Sequence, residues 1–246
     1  MTSAYASIAN GGTYQKPVLY TKVVDHNGNI LLSNTQKGKR VMKESTAFLL
    51  TDAMKDVITK GTGKSAKLSS SMAVAGKSGT TSNSYDYWFS GYTPYHTASV
   101  WMGYDKNTNF ASDNTHKKIW AKVMNEIIKT KQEQTTDFKK PADIVKAKVC
   151  KESGKLAIKG VCDHDPRGSR VITEYFEKGT VPTQTCDIHV AVEVCKTSDK
   201  LATKNCPANK KQRKIYIVRK KGSHGKTADS PYMLPKKYQS VFCKKH

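Results

Sequence analysis

Apolar residues return every three or four positions in three segments of the first 138 residues. The first segment surrounds Tyr5 and Ile8 and ends at the helix stop Asn10-Gly11-Gly12. The others span residues 45–60 and 119–130, and this spacing predicts an amphipathic helix in each. The buried face of the second helix is expected to contain Leu49, Leu50, Met54, Val57 and Ile58.

Strand-like patterns occupy the stretches between these helices. Residues 17–24 and 30–32 flank Asn27-Gly28, a pair that accepts the positive φ values of tight turns, so they predict a hairpin. Three more strands are predicted at residues 72–77, 87–92 and 98–104. Helices and neighbouring strands in this order favour an α+β fold, with an antiparallel sheet covered by helices.

The run MAVAGKSGTT places Lys77, Ser78 and Gly79 at the end of a predicted strand. Such residues often form a plain turn. A lysine ammonium beside a hydroxyl can also stabilise a deprotonated nucleophile and attract a carboxylate. Glycine lets a substrate backbone approach the strand, and the N–H after it can stabilise an oxyanion. The run therefore fits an acyl-transfer site that recognises a peptide carboxylate.

The positive charge of the chain is unevenly distributed. The formal net charge is +22, with 17 Lys or Arg against 10 Asp or Glu in residues 1–138 and 25 against 10 in residues 139–246. The distal part is therefore expected to face an anionic partner. An anionic wall polymer or a membrane surface fits better than nucleic acid, because aromatic residues do not alternate with the cations. The sequence shows no apolar run long enough to span a bilayer and no export signal.

An internal duplication organises the distal part. The segment VCKESGKLA, which contains Cys150, recurs as VCKTSDKLA with Cys195, and each copy is followed by a second cysteine, Cys162 or Cys206. The Lys139-Lys140-Pro141 stretch resembles a linker. We therefore predict one domain at residues 1–138 and a small β-rich, basic, cysteine-bearing module at residues 139–246, with repeats at 150–162 and 195–206.

Three stretches in the first part carry a family resemblance. The runs SAYASIANGGTYQKP, ITKGTGKSAKL and VAGKSGTTSNSYDYWFSGYTPYHTASVWMGYD, in that order, resemble the carboxyl-terminal portion of the transpeptidase domain of class A penicillin-binding proteins. The resemblance continues through IWAKVMNEI and KKPADIVKAKVC. It implies a serine β-lactamase-like domain that cross-links peptidoglycan stem peptides by serine acyl transfer, is acylated by β-lactams, and acts outside the cytoplasm at the cell membrane.

The resemblance also implies roles for the residues of the run. Lys77-Ser78-Gly79 matches the third motif of the family. By resemblance Lys77 tunes the proton network, Ser78 and Thr80 hold the substrate carboxylate with Thr81 continuing the motif, and the N–H of Thr80 forms half of an oxyanion hole. The Ser-x-x-Lys nucleophile and the Ser-x-Asn motif are expected upstream of Met1. The alternative is a non-catalytic basic module that binds anionic wall polymer or a membrane surface.

Two later segments match the Ser-x-x-Lys and Ser-x-Asn motifs in residue type only. Residues 223–226 read Ser-x-x-Lys and residues 112–114 read Ser-x-Asn, but both follow Lys77 instead of preceding it. Their order argues against a catalytic role for either.

The cysteines allow more than one chemistry. The short loop in each repeat favours the disulfide bonds Cys150–Cys162 and Cys195–Cys206, with Cys186 and Cys243 unpaired or joined. Free thiols and zinc are the alternatives. Cys186 and His189 form a Cys-x-x-His pair, but no Cys-x-x-Cys pair accompanies it, so the sequence predicts no metal and no cofactor.

The order of the motifs leads to a first prediction. Because neither Ser112 nor Ser223 lies where the nucleophile is expected, the 246-residue chain alone should form no covalent adduct with penicillin. Mass spectrometry of the intact chain after exposure to penicillin measures this. An acyl group on Ser223 would contradict the argument from motif order.

Overall fold

A computed structural model describes residues 1–35, 37–219 and 227–245 of the chain. The chain divides into two compact units, Met1–Ile144 and Val145–His246. The division falls a few residues beyond the boundary predicted after residue 138. The Ser-x-x-Lys imitation at residues 223–226 lies outside the described residues.

Three helices frame the first unit, as the sequence predicts: α1 (Thr2–Ala9), α2 (Glu44–Thr59) and α3 (Thr115–Lys131). The buried face of α2 follows Ala47, Thr51, Met54 and Ile58. Leu50 is 41% exposed, so its predicted burial is wrong. The helix turns a small hydroxyl inward at Thr51 instead, which shifts its buried face away from Leu50. None of the described helices is long and apolar enough to cross a membrane.

Two small ribbons accompany these helices. Strand β1 (Thr13–Tyr14) pairs with β4 (Lys39–Arg40), and β2 (Lys22–Val24) pairs with β3 (Ile30–Ser33). The second ribbon confirms the predicted hairpin, although its first strand is shorter than expected. The Asp25 carboxylate closes the hairpin by accepting bonds from the N–H groups of Asn27 and Asn29, both at 2.8 Å.

An antiparallel sheet forms the centre of the first unit. Its strands are β5 (Ala75–Thr80), β6 (Asp86–Tyr92) and β7 (Thr97–Gly103), in the order β5-β6-β7. The three predicted strands are confirmed, but β5 begins and ends three residues later than predicted. Lys77-Ser78-Gly79 therefore lies within β5, on a strand that has β6 as its partner on one side.

The core lies between this sheet and the helices. Trp120 of α3 is fully buried and meets Phe89 of β6 edge to face, with 5.2 Å between the ring centroids. Its indole N–H donates to the carbonyl of Ala98 at 3.0 Å. Nearby, the hydroxyls of Tyr92 and Thr51 lie 2.8 Å apart, and burial raises the pKa of Tyr92 to about 12. These contacts attach α2 and α3 to the sheet that carries the motif.

The second unit is β-rich, as expected. Strand β8 (Ile144–Cys150) begins at the boundary and pairs with β9 (Val171–Glu177). A second sheet has the order β11-β10-β12, with β10 at His189–Cys195, β11 at Lys200–Leu201 and β12 at Lys211–Ile217. A one-turn helix, α4 (Lys237–Ser240), follows.

Two glycines of β5 should respond differently to a methyl group. A Cβ on Gly76 would lie 2.8 Å from Cζ of Phe89 and 2.9 Å from the Cα of Gly91, whereas a Cβ on Gly79 would meet only ordinary contact at 3.6 Å. We expect Gly76→Ala to lower the free energy of unfolding by about 1–3 kcal/mol. The matched variant Gly79→Ala should leave it nearly unchanged, and urea denaturation measures both. Equal stability of the two variants would contradict this packing argument.

Candidate functional site

The Lys77-Ser78-Gly79 motif lies on an edge strand. Ala75 and Gly76 are buried, and the strand becomes exposed from Lys77 onward. Among the described strands, only β6 pairs with β5. An edge of this kind can accept an extended peptide as a further strand.

The register determines which backbone groups face that open edge. Beyond the end of β5, the N–H of Thr81 donates to the carbonyl of Asp86 at 3.1 Å. Hydrogen-bonded and non-hydrogen-bonded pairs alternate along an antiparallel ladder. The preceding pair, Thr80 opposite Tyr87, is therefore of the non-hydrogen-bonded type, and the N–H of Thr80 points away from β6. The same holds for the backbone of Ser78.

Side chains around the motif form a short network. The hydroxyls of Ser78 and Thr62 lie 3.0 Å apart, and Nζ of Lys77 donates to the carbonyl of Ser78 at 2.6 Å. Thr81 has a different position: its hydroxyl donates to Asp86 at 3.1 Å and accepts from the backbone N–H of Asp86 at 2.9 Å. Thr81 thus closes the connection from β5 to β6, while Lys77, Ser78 and Thr80 stay at the edge.

A second cation supports this network. Lys117 of α3 is 7% exposed, and its Nζ donates to the carbonyl of Thr62 at 2.8 Å and to the side-chain oxygen of Asn114 at 2.7 Å. Burial and the positive charge of Lys77 both lower the pKa of Lys117. Neither Lys117 nor Thr62 was predicted from the sequence as a site residue. Thr62 lies in the run ITKGTGKSAKL, which carries part of the family resemblance, but the sequence gives it no role of its own.

The motif also borders a cavity of about 250 Å³. Its lining contains Lys77–Thr81 together with Tyr5 of α1 and Trp88 and Ser90 of β6. Hydroxyls and a cation on one wall and aromatic rings on the others suit a ligand with a carboxylate and an apolar body.

Residues 112–114, the Ser-x-Asn imitation, form the start of α3. The hydroxyl of Ser112 lies 3.1 Å from Nδ1 of His116, and the Asp113 carboxylate accepts from Lys118 at 2.8 Å. Asn114 precedes the helix with a φ of 70°. These contacts stabilise the beginning of α3, and they account for the residue types at 112–114 without a catalytic role.

The second unit gathers its cysteines in two places. Cys150, Cys162, Cys186 and His189, here called the first thiol cluster, place one ligand atom each within 4.8 Å of one another. Cys195, Cys206 and Cys243, the second thiol cluster, do the same.

This grouping bears on the predicted disulfide bonds. Each predicted pair shares a cluster, while Cys186 and Cys243 lie in different ones. No disulfide is formed in the described part of the chain, and the bonds Cys150–Cys162 and Cys195–Cys206 stay a prediction. The first thiol cluster is a donor set that can hold a metal ion, whereas the sequence predicts no metal.

Comparison with known families gives two matches. Residues 1–129 match the penicillin-binding protein transpeptidase domain. Residues 140–191 match the C-terminal domain of penicillin-binding protein 1A.

Curated relatives agree with this assignment. The chain is 36% identical over 241 residues to penicillin-binding protein 1A of Clostridium botulinum (strain Langeland), which covers 96% of the chain and 28% of that protein. It is 32% identical over 199 residues to penicillin-binding protein 1A/1B of Bacillus subtilis, covering 74% of the chain and 21% of that protein. The chain thus spans less than a third of the length of these relatives.

A solved structure supports the fold. The crystal structure of penicillin-binding protein 1A from Haemophilus influenzae superposes with a TM-score of 0.59 at 23% identity, covering 75% of this chain and 32% of that one. Since the transpeptidase family model alone accounts for more than half of the sequence, the chain belongs to the penicillin-binding protein transpeptidase family.

Proposed function

We propose that this chain supplies the Lys-Ser-Gly side of a D,D-transpeptidase site, in which a serine acyl transfer cross-links peptidoglycan stem peptides. The observation that carries the proposal is the position of the motif on an open strand edge beside a cavity, in a chain of the transpeptidase family. β-Lactams would occupy the same position as the stem peptide. The activity would take place outside the cytoplasm, at the cell membrane.

Electrostatics supports a role in carboxylate binding. Lys77 lies at the exposed edge, and the buried Lys117 adds a second positive charge near it. Two cations beside the hydroxyls of Ser78 and Thr80 favour the terminal carboxylate of a peptide or an antibiotic. We assign Ser78, Thr80 and, more weakly, Thr81 to substrate binding, because Thr81 already bonds Asp86.

Backbone geometry supports a role in the chemical step. The outward N–H of Thr80 is a donor that the sheet leaves available for the oxyanion that develops during acyl transfer. Gly79 has room for a Cβ within the chain itself, so the fold does not require glycine there. A substrate backbone that lies close to β5 would require it. Lys77 would act on the proton of the attacking serine.

The alternative, a non-catalytic basic module, has less support. Several cations of the second unit already bond to acidic side chains. Arg167 bonds Asp165 and Asp229, and Arg219 also bonds Asp229. These arginines stabilise the unit itself, and binding to an anionic wall polymer or a membrane surface rests on the net positive charge alone.

Removal of the Lys77 charge tests the proposal. In the full-length protein that contains this chain, Lys77→Ala should slow acylation by fluorescent penicillin at least about a hundredfold, because the cation acts on both the carboxylate and the nucleophile. Lys122→Ala is the matched control, since Lys122 is an exposed lysine of α3. Labelling kinetics measures both variants. Normal acylation of Lys77→Ala would contradict the assignment of Lys77.

Thr62 should act as a positioning residue. Thr62→Val removes the hydroxyl that lies 3.0 Å from Ser78, so the Ser78 hydroxyl loses its orientation. Loss of one hydrogen bond of about 1 kcal/mol predicts a fall of roughly fivefold in the second-order acylation rate of the full-length protein. Thr59→Val, at an exposed threonine of α2, is the control. If the two variants have equal acylation rates, the contact between Thr62 and Ser78 does not contribute to acylation.

A further inference from the structure

The first thiol cluster combines four donor groups in the interior of the second unit. Cys150 ends β8, Cys162 begins a short 3-10 helix, and His189 begins β10. Cys186 lies three residues before His189. All four residues are at most 5% exposed. The chain thus brings four polar or polarisable groups from separate segments to one buried point.

The orientation of His189 distinguishes this cluster from ordinary core packing. Its Nδ1 lies 3.4 Å from the sulfur of Cys150 and 3.3 Å from that of Cys186. Its Nε2 lies 2.6 Å from the carboxylate of Asp165, which is itself buried and bonded by Arg167. With the proton on Nε2, the lone pair of Nδ1 points at the sulfurs. A carboxylate that orients a histidine in this way is typical of metal sites.

The distances fit a tetrahedral ion. With Zn–S of about 2.3 Å and Zn–N of about 2.0 Å, a tetrahedral Zn²⁺ separates its sulfur and nitrogen ligands by about 3.5 Å. In the first thiol cluster, Nδ1 of His189 lies 3.4 Å from the sulfur of Cys150 and 3.3 Å from that of Cys186. Three cysteines and one histidine form a closed ligand set of the kind found in structural zinc sites.

The duplication repeats the same geometry in the second thiol cluster. The N–H of Ile158 donates to the sulfur of Cys162 at 3.3 Å, and the N–H of Thr203 donates to the sulfur of Cys206 at 3.3 Å. The main chain of the third cysteine, Cys186 in one cluster and Cys243 in the other, also makes the same contact in both clusters.

In each copy this third cysteine bonds the leucine of the repeat. The N–H of Cys186 donates to the carbonyl of Leu156, and that of Cys243 donates to the carbonyl of Leu201, both at 2.8 Å. Cys186 and Cys243 are therefore equivalent positions. In the sequence, His246 follows Cys243 at the spacing at which His189 follows Cys186, and it lies outside the described residues.

The number of thiols argues for metal over disulfide bonds. Each cluster contains three cysteines. One disulfide bond in a cluster would leave one buried thiol outside the bond, whereas a metal ion can bind all three sulfurs. The second unit also has a small core: among its described residues, six of the 12 buried apolar side chains are cysteines. So few aliphatic contacts give the unit little stability, and a bound ion would add to it.

We propose that the first thiol cluster binds one structural Zn²⁺ through its three sulfurs and Nδ1 of His189, and that the second thiol cluster binds another. The role is structural because the ligand set of the first cluster is closed and buried. Asp165 is a positioning residue that orients His189. This inference does not depend on the transpeptidase activity.

Metal content of the purified 246-residue chain tests the proposal. Under reducing conditions, with Zn²⁺ added and excess removed, elemental analysis should give two ions per chain. Cys186→Ser should reduce this to one, while His164→Ala, at an exposed histidine outside the cluster, should leave two. If the unaltered chain binds one ion and the Cys186→Ser variant binds none, the first site is supported and the second is overturned. No bound zinc would overturn both.

A measurement on the unaltered chain covers the case in which Cys186→Ser fails to fold. Titration of the thiols with a mercurial reagent should release the zinc in step with thiol modification, as read by a chromogenic zinc indicator. Asp165→Asn should weaken zinc binding about 10–100-fold in competition with a chelator, while Co²⁺ still gives the visible absorption of a tetrahedral thiolate site. Peptide mapping that finds Cys150–Cys162 and Cys195–Cys206 disulfide bonds without metal would overturn the proposal.

Discussion

Two glycines set directly opposite each other allow the sheet and α3 to approach closely. Gly76 and Gly91 are cross-strand partners, and a Cβ on Gly91 would lie 2.7 Å from Phe89 and 2.9 Å from Trp120. Without side chains at these two positions, the Phe89 and Trp120 rings can pack against each other over the strands. The contact fixes β5 relative to α3. It thereby determines where Lys77 and Lys117 lie, because one is on β5 and the other on α3.

Much of the first unit follows from local sequence patterns. Helical spacing predicts all three long helices, and the Lys77-Ser78-Gly79 motif is found because its residues are contiguous. Thr62 and Lys117 escape such reasoning, since their contact joins positions 55 residues apart. The predicted buried face of α2 is wrong at Leu50. The buried hydroxyl of Tyr92 needs a polar partner, and Thr51 of α2 supplies it. The sequence also does not distinguish Gly76, which packing requires, from Gly79.

The second unit shows how far a repeat can guide a prediction. The matching runs VCKESGKLA and VCKTSDKLA identify Cys150 with Cys195, and the next cysteine after each run identifies Cys162 with Cys206. The equivalence of Cys186 and Cys243 is hidden by a longer connection in the second copy, and it becomes visible only through their shared bond to a leucine carbonyl. The charge count likewise does not show which cations are paired inside the unit, as Arg167 and Arg219 are with Asp229.

The exposed edge of β5 has a consequence for the behaviour of the protein in solution. Unpaired backbone groups on a strand edge invite another strand, and proteins commonly discourage such pairing with a charged side chain, lysine above all. Lys77 stands on that edge and is exposed. Its charge therefore repels a second copy of the same strand while it attracts a carboxylate. A single side chain can in this way keep the edge free of self-association and available to a peptide.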